Sequence, residues 1–425
     1  MRADLQTPAI VCDAEKLSQT AIIQELGRLG IPVVALSASA KAIGFGSRYV
    51  KQRIVCAVPS HEDPYVEFLI SKAPRGVLFY SNDANTENVS RNRQRLASSG
   101  FSVFVSDPAT LQRVIHKDQL FLTAQECGVL VPRCALVSSA AELEASIDGF
   151  GLPLILKSTN LAGGIYRFVT SRDAAVPTFQ EMSEVIHSRD LEHRGSQLMA
   201  QQWIQQDDTR LWNFNACVQS GKIVSFSMGR RLRTDVRRDG SLGSMLLFGQ
   251  TAFHAGIFEE NQRLLEHLNF DGLVETEWSE GTAGPPFYLY DFNPRPSGNI
   301  RWVFRSGVSL AEQYYRLALG LPAVPQKMKI GTKYAKVFYR QNDFLHALED
   351  HRRTTRERLR ILADDLMMVV RCGRHAVDVL DPKDPGPTFR ACSELGAVFS
   401  DKLIHGCKRF TRSSIRGLRH AKCAS

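Results

Sequence analysis

The chain has 425 residues, a formal net charge of +9 and nine cysteines, with 44% apolar and 23% charged residues. That composition is ordinary for a globular protein and allows about two to four domains. No run of about 18 apolar residues occurs, which excludes a transmembrane helix at the level of sequence. The opening "MRADLQTPAIVCDAEK" has no basic stretch followed by an apolar one, so a signal peptide is not expected. The cysteines form no CxxC pair, so neither a zinc site nor a disulfide framework is expected, and a reducing, cytoplasmic setting fits best.

The positive charge is uneven. Residues 402–425 carry Lys402, Lys408, Arg409, Arg412, Arg416, Arg419 and Lys422 and no acid. The rest of the chain is close to neutral, which argues against nucleic acid as a partner of the whole protein. Within the tail, Lys408, Arg412, Arg416 and Arg419 fall on one helical face, which suits a peripheral membrane or protein contact; a solvated tail is the plainer alternative.

In chain order, "PAIVCD" and "IPVVALS" read as buried strands flanking the helix "AEKLSQTAIIQELGRLG". "GVLFYS" and "FSVFVS" follow as strands around a polar helix at Asn85–Ala97. This alternation predicts a doubly wound parallel sheet. "GFGSRY" has only GxG after its strand, too little for a dinucleotide fingerprint. After Gly128 come a strand "RCALVS", a helix "AAELEASI", a strand "LPLILKS", a glycine-bearing turn "TNLAGG" and a strand "IYRFVT". A helix near Val176–Ser188 leads to three strands, "SQLMAQQWI", "RLWNFNACVQS" and "KIVSFSMGRR", whose short turns suggest antiparallel pairing. "FEENQRLLEHLNF" is an amphipathic helix, and from about residue 326 a basic, mixed region follows.

The chemistry concentrates in "GLVETEWSEGTAGPPFYLYDFNPRPSGNIRW". Two antiparallel strands joined by "SEGTAGPP" would put Glu275 and Glu277 on one face, and Asp291 and Asn293 on one face opposite Tyr290 and Phe292. Pairing brings Glu277, Asp291 and Asn293 together as oxygen ligands of the kind Mg²⁺ takes, with no His or Cys nearby. Arg295 follows directly, placed for a phosphoryl group, and Arg301 lies on the loop beyond. A solvated strand face with a turn-forming Asn-Pro fits the same residues. Lys157 ends an apolar strand, where burial without a partner is costly; a lysine that snorkels to solvent is the alternative. Arg231 and Arg233 share a strand face and offer a guanidinium fork for a carboxylate, or a solvated basic edge. Trp203 and Trp212 read as core, and Cys217 as a buried thiol.

"VETE" followed by "DxNPRxSG" resembles the metal-binding end of the ATP-grasp superfamily, and the likeness extends over roughly residues 75–325. "HKDQLFLTAQECGVLVPRC" is similar to that family's segment bearing its first phosphate lysine, here Lys117. "GLPLILKSTNLAGG" is similar to the strand, second lysine (Lys157) and lid loop. "LMAQQWIQQDD" resembles the hinge strand that meets adenine, here Gln202, Trp203 and Ile204, with Asp208 where an acid holds ribose. "GFGSRYV", "SNDANTENVSRNRQRL" and "GRRLRTDVRRDGSLGS" resemble carboxylate–amine ligases close to D-aspartate ligase. Gln202, Gln206, Asp291 and His116 depart from the commoner Glu, Gly, Glu and Asp.

The resemblance implies an α/β ATP-grasp fold: a Rossmann-like pre-ATP-grasp domain (1–115), an ATP-grasp domain (116–325, with a lid near 118–198), a C-terminal α/β appendage (326–401) and the basic tail. It implies ATP and Mg²⁺ as cofactors, one or two metals, Mn²⁺ as a substitute, and small carboxylate and amine substrates joined through an acyl phosphate. Catalytic roles are then expected for Arg295, Lys157, Arg231 and Arg301. Carboxylase or carbamoyl-type chemistry, and a nucleotide-binding scaffold without turnover, are the alternatives, because fold does not fix substrate.

Overall fold

A computed structural model describes residues 5–159, 166–189, 197–204, 210–236, 242–281, 284–336 and 376–394, with scattered residues between 354 and 371. The basic tail, Asp208, the turn residues 160–164 and Arg237 and Arg238 lie outside the described residues.

The first layer is a parallel sheet. It contains β1 (Ala9–Val11), β2 (Val33–Ser37), β3 (Val50–Val55) and β4 (Val77–Phe79), in the order β3-β2-β1-β4. Every residue of β1, β2 and β4 is buried, as strands covered on both faces must be. The covering helices include α1 (Leu17–Arg28), α2 (Asp63–Lys72), α3 (Asp83–Arg91), α4 (Arg93–Ser98) and α5 (Pro108–Ile115). The Asn82 side chain caps α3 by accepting from the Asn85 amide at 2.7 Å, an arrangement that satisfies one open helix-end donor. Two expectations need correction here. "FSVFVS" is not a strand: it meets the sheet only at a Val77–Ser102 bridge, then turns away so that Ser106 bonds Asp271 at 2.9 Å. The single helix expected at 85–97 is broken into α3 and α4. The glycines of "GFGSRY" serve packing, for a Cβ on Gly44 would lie 2.7 Å from the Ala14 carbonyl oxygen.

α6 (Lys117–Glu126) leads to a small antiparallel sheet of order β5-β8-β6-β7. Its strands are β5 (Cys134–Val137), β6 (Leu154–Ser158), β7 (Tyr166–Val169) and β8 (Leu198–Gln202). α7 (Ala140–Phe150) and α8 (Ala175–Arg189) pack on it, burying Leu143, Ile147 and Met182.

The largest sheet runs β13-β12-β9-β10-β11-β14-β15. It is built from β9 (Leu211–Gln219), β10 (Lys222–Val236), β11 (Leu242–Thr251), β12 (Gly272–Gly281), β13 (Gly284–Asn293), β14 (Lys333–Ala335) and β15 (Ala376–Val377). β11 follows the basic stretch, in a segment that periodicity leaves unassigned. α9 (Ala255–His267) covers one face through Ile257, Leu264 and Leu265. α10 (Ile300–Arg305) and α11 (Leu310–Ala318) return the chain to the first layer. Tyr314 of α11 donates to the Leu78 carbonyl at 2.7 Å, and both layers share one apolar core.

Candidate active site

The β12–β13 hairpin pairs as its alternation demands. Glu275 lies opposite Asn293, and Glu277 opposite Asp291. On the other side of β12, Asn215 and Asn213 of β9 face Glu275 and Glu277. The Asn213 amide donates to Glu275 Oε1 at 3.1 Å and to Glu277 Oε1 at 3.4 Å. It accepts from Arg231 Nε at 2.8 Å. An amide can bridge two carboxylates and a guanidinium because it carries donors and an acceptor together.

One side chain departs from the alternation. Asp291 opposes Glu277 but Leu289 opposes Trp278, so Tyr290 is an extra residue at a bulge. A bulge re-aims the residue it inserts. Tyr290 therefore turns toward Glu277 and Arg231 instead of away from the acids, and burial raises its hydroxyl pKa well above the usual value. Phe292 keeps the expected side and joins the core.

Cations cover each acid. Lys117, the first residue of α6, forms an ion pair with Asp291. Its amide donates to the Thr159 carbonyl at 2.9 Å, tying α6 to the end of β6. Arg231 is 1% exposed and places a guanidinium nitrogen 2.5 Å from Glu277. Its guanidinium is thus engaged by Glu277 and Asn213, and it orients these groups instead of presenting the open fork expected for a substrate carboxylate. Arg295 reaches Asp83 at 3.1 Å, Glu275 at 3.7 Å and Asn293 Oδ1 at 2.9 Å, joining the first layer to the hairpin. Lys157 is 8% exposed, with its ammonium 5.1 Å from the centre of the Phe121 ring.

Four acids (Asp83, Glu275, Glu277, Asp291) thus meet four cations (Lys117, Lys157, Arg231, Arg295). Their proximity sets the proton affinities. Burial pulls Lys157 down to about 7, and the neighbouring Lys117 charge adds to the fall. Burial also opposes the charge on Lys117, but Asp291 outweighs it and raises the pKa. Burial works to raise Asp291; Lys117, then Lys157 and Arg295, hold it below the ordinary carboxylate range. Burial, with Glu277 alongside, pushes Glu275 up to about 7.

Among the described residues no three His, Cys, Asp or Glu side chains converge as a metal site. The expected set of Glu277, Asp291 and Asn293 is two carboxylates and an amide on paired strands, which suits an ion that completes its shell with phosphate and water oxygens. Lys117 and Arg231 already place positive charge on both carboxylates. A cation there would have to take Asp291 from Lys117 and share Glu277 with Arg231.

The structure brings Lys117, Lys157, Arg231, Glu277, Asp291, Asn293 and Arg295 together. It does not bring Arg301 to them. Arg301 sits on α10, 5% exposed, bonded to Gln24 and 3.9 Å from Asp381; the helix begins at Ile300 and turns it toward α1. Gln202 ends β8, its amide donating to the Arg133 carbonyl at 2.8 Å. Trp203 and Ile204 follow, half-buried, with Trp203 edge-on to Phe168 at 4.8 Å. Trp212 and Cys217 are buried, as expected. Sequence reasoning missed Asn213, Asp83 and the turn of Tyr290. The alternating asparagines of "WNFNACV" signal the first, and the acid just past "VLFYSN" the second.

No protein-family model and no curated protein matches the sequence. Solved structures do match. A carboxyaminoimidazole ribonucleotide synthase from Aspergillus clavatus complexed with ATP superposes with a TM-score of 0.60 at 14% identity, over 77% of this chain and 81% of that one. A biotin carboxylase from Campylobacter jejuni gives 0.59 at 15%, over 77% and 75%. An N5-carboxyaminoimidazole synthetase from Staphylococcus aureus gives 0.58 at 12%, over 77% and 80%. At such identities the likeness is one of fold, and the chain has the ATP-grasp fold.

Proposed function

We propose that this chain is an ATP- and Mg²⁺-dependent ligase that joins a carboxylate to an amine and releases ADP and phosphate. The observation that carries it is the balanced cluster at the hairpin, in which Lys117, Lys157 and Arg295 stand beside the carboxylates as cations that a phosphate could claim. When phosphates arrive, Lys117 exchanges Asp291 for a phosphate oxygen, which frees Asp291. Lys157, half neutral near pH 7, takes a proton and becomes the second phosphate cation. A divalent cation held by Glu277, Asp291 and Asn293 would supply charge neutralisation on phosphate oxygens. Arg231, Asn213 and Tyr290 keep Glu277 oriented. Arg295 spans Asp83, Glu275 and Asn293, and stabilises charge on the transferring phosphoryl group.

A carboxylate is a poor electrophile because its leaving group is oxide-like. Transfer of the γ-phosphoryl group to it makes an acyl phosphate, from which phosphate departs when an amine attacks. The protein's part is positioning and neutralising charge. A second reading takes bicarbonate as the carboxylate, and the names of the solved structures of like fold favour it.

A screen for ADP release across pairs of carboxylates and amines, bicarbonate included, tests this. Release that needs Mg²⁺ and one particular pair is expected. Tight binding of ATP with no release across the panel would support the scaffold alternative, and no ATP binding at all would contradict the proposal.

A further inference from the structure

Charge is divided unevenly along the chain. Residues 326–425 hold 21 lysines and arginines against 11 acids, whereas residues 1–325 hold 32 against 33. The fold sorts these charges further. Asp378, Asp381 and Asp384 are buried. Asp384 accepts from Ser47 at 2.6 Å, from Gln24 at 2.8 Å and from the Arg48 amide at 2.8 Å, all in the first layer. Asp381 pairs with Arg28 and, at 3.9 Å, with Arg301. Three of the 11 acids are thus turned inward, and the charge left facing solvent is more positive than the sequence count.

The described residues from 356 to 371 are helical and exposed. The carbonyl of the last, Arg371, accepts from Lys333 Nζ at 3.5 Å, which ties that end to β14. Leu359, Ala363, Met367 and Val370 recur at spacings of four, four and three, so they share one helix face. On that face Leu359 is 61% exposed, Met367 48% and Val370 65%. Scattered exposed apolar residues are ordinary, whereas a contiguous stripe marks an interaction site. Arg360 and Arg371 each stand one residue beyond a member of the stripe, so both fall along the same border of it. Arg356 lies one turn before Leu359. None of these three guanidinium groups makes an ion pair or hydrogen bond among the described residues.

The chemistry of the face selects its partner. Large apolar side chains bordered by unpaired arginines suit a helix that lies in a membrane interface, stripe down and charges at the headgroups. Among the described residues no helix is long and apolar enough to cross a membrane, so the contact is with one leaflet. A nucleic-acid backbone would neutralise the arginines but leave the stripe in water. An acidic patch on a protein is local, whereas the positive excess runs on through residues 402–425, which hold seven cations and no acid. An extended anionic lipid surface matches both the stripe and the spread of charge. We infer that the helical face of Leu359, Met367 and Val370 docks this chain on an anionic lipid surface, with Arg356, Arg360 and Arg371 on the headgroups. The docking is independent of the reaction proposed above.

The test sediments the full chain with vesicles of phosphatidylcholine alone, or with about one-third phosphatidylglycerol added. Binding at least about tenfold tighter to the anionic vesicles is expected, and it should weaken as salt rises. Leu359→Ser combined with Val370→Ser is expected to weaken that binding by about tenfold or more, because both side chains leave water on docking. Arg360→Gln combined with Arg371→Gln is expected to weaken it by about tenfold. All four positions are exposed, so the urea midpoint should stay at the wild-type value. Leu122→Ser, at a position of α6 that is 55% exposed, is expected to leave vesicle binding unchanged. Equal binding to the two kinds of vesicle, wild-type binding by the Leu359→Ser, Val370→Ser chain, or binding to a short DNA duplex as tight as to anionic vesicles overturns the inference. A fall in the urea midpoint of that chain would show the stripe to be packed within the protein, and overturns it as well.

Discussion

Lys157 should take up a proton when ATP binds. In the free protein its ammonium lies against the Phe121 ring and beside Lys117, and its pKa falls from 10.5 to about 7. At about 1.36 kcal/mol per tenfold change in proton affinity, the charged form is disfavoured by about 5 kcal/mol. Phosphate oxygens reverse that penalty by supplying the missing counter-charge. Between about pH 7 and the ordinary lysine range, binding therefore takes up close to one proton, and ATP affinity falls by up to tenfold for each unit of pH. At pH 8.5 the γ-phosphate of free ATP is already ionised, so uptake reports on the protein. Calorimetric titration in buffers of different ionisation enthalpy gives the proton number from the slope. About one proton is expected for the wild type and none for Lys157→Met. No uptake at pH 8.5, or uptake that survives the substitution, would refute the assignment. The free protein carries the same linkage: because the folded-state pKa lies below the unfolded one, the unfolded chain binds more protons between them. Lys157 therefore lowers stability at pH 7 and below, and that penalty is relieved as pH rises toward 10.5.

Arg295→Ala is expected to retain ATP affinity within a few-fold yet lose turnover by about 10²–10³-fold, the usual cost of one contact to developing charge; single-turnover kinetics separate the two. Arg231→Met leaves Glu277 buried without its partner and is expected to destabilise the protein by about 3–5 kcal/mol. Denaturation by urea reads this, and adding Glu277→Gln should recover most of the loss. Arg301→Ala is expected to lower thermal stability through its Gln24 and Asp381 contacts while leaving turnover close to wild type; a loss of turnover like that of Arg295→Ala would return Arg301 to the active site.

The parts of the site that were legible are those fixed by period. Strand alternation puts Glu275 and Glu277 on one face and Asp291 and Asn293 on one face, while the register that sets Glu277 opposite Asp291 comes from the pairing of the strands. The apolar run ending in Lys157 likewise announces a buried lysine. The early parallel sheet was legible in β1, β2 and β4, whose residues are all apolar or small. β3 was not, since its mostly exposed "VKQRIV" interrupts its one apolar side, Val50 and Ile54, with Gln52. Tyr290 was misplaced because one inserted residue inverts a face, and local sequence does not announce a bulge. Arg301 was misplaced because a helix starting just before it rotates it away from the loop. Arg231 stands out in its basic segment, but its partner Glu277 lies on a different strand of the sheet, and such pairing is set by tertiary contact.

The central claim is that a substrate carboxylate is activated by phosphorylation. With a carboxylate identified by ADP release and labelled with ¹⁸O, mass spectrometry of the released phosphate tests it most directly. The account predicts one ¹⁸O in phosphate for each ADP formed. Label retained wholly in the product, or AMP and pyrophosphate in place of ADP and phosphate, would contradict it.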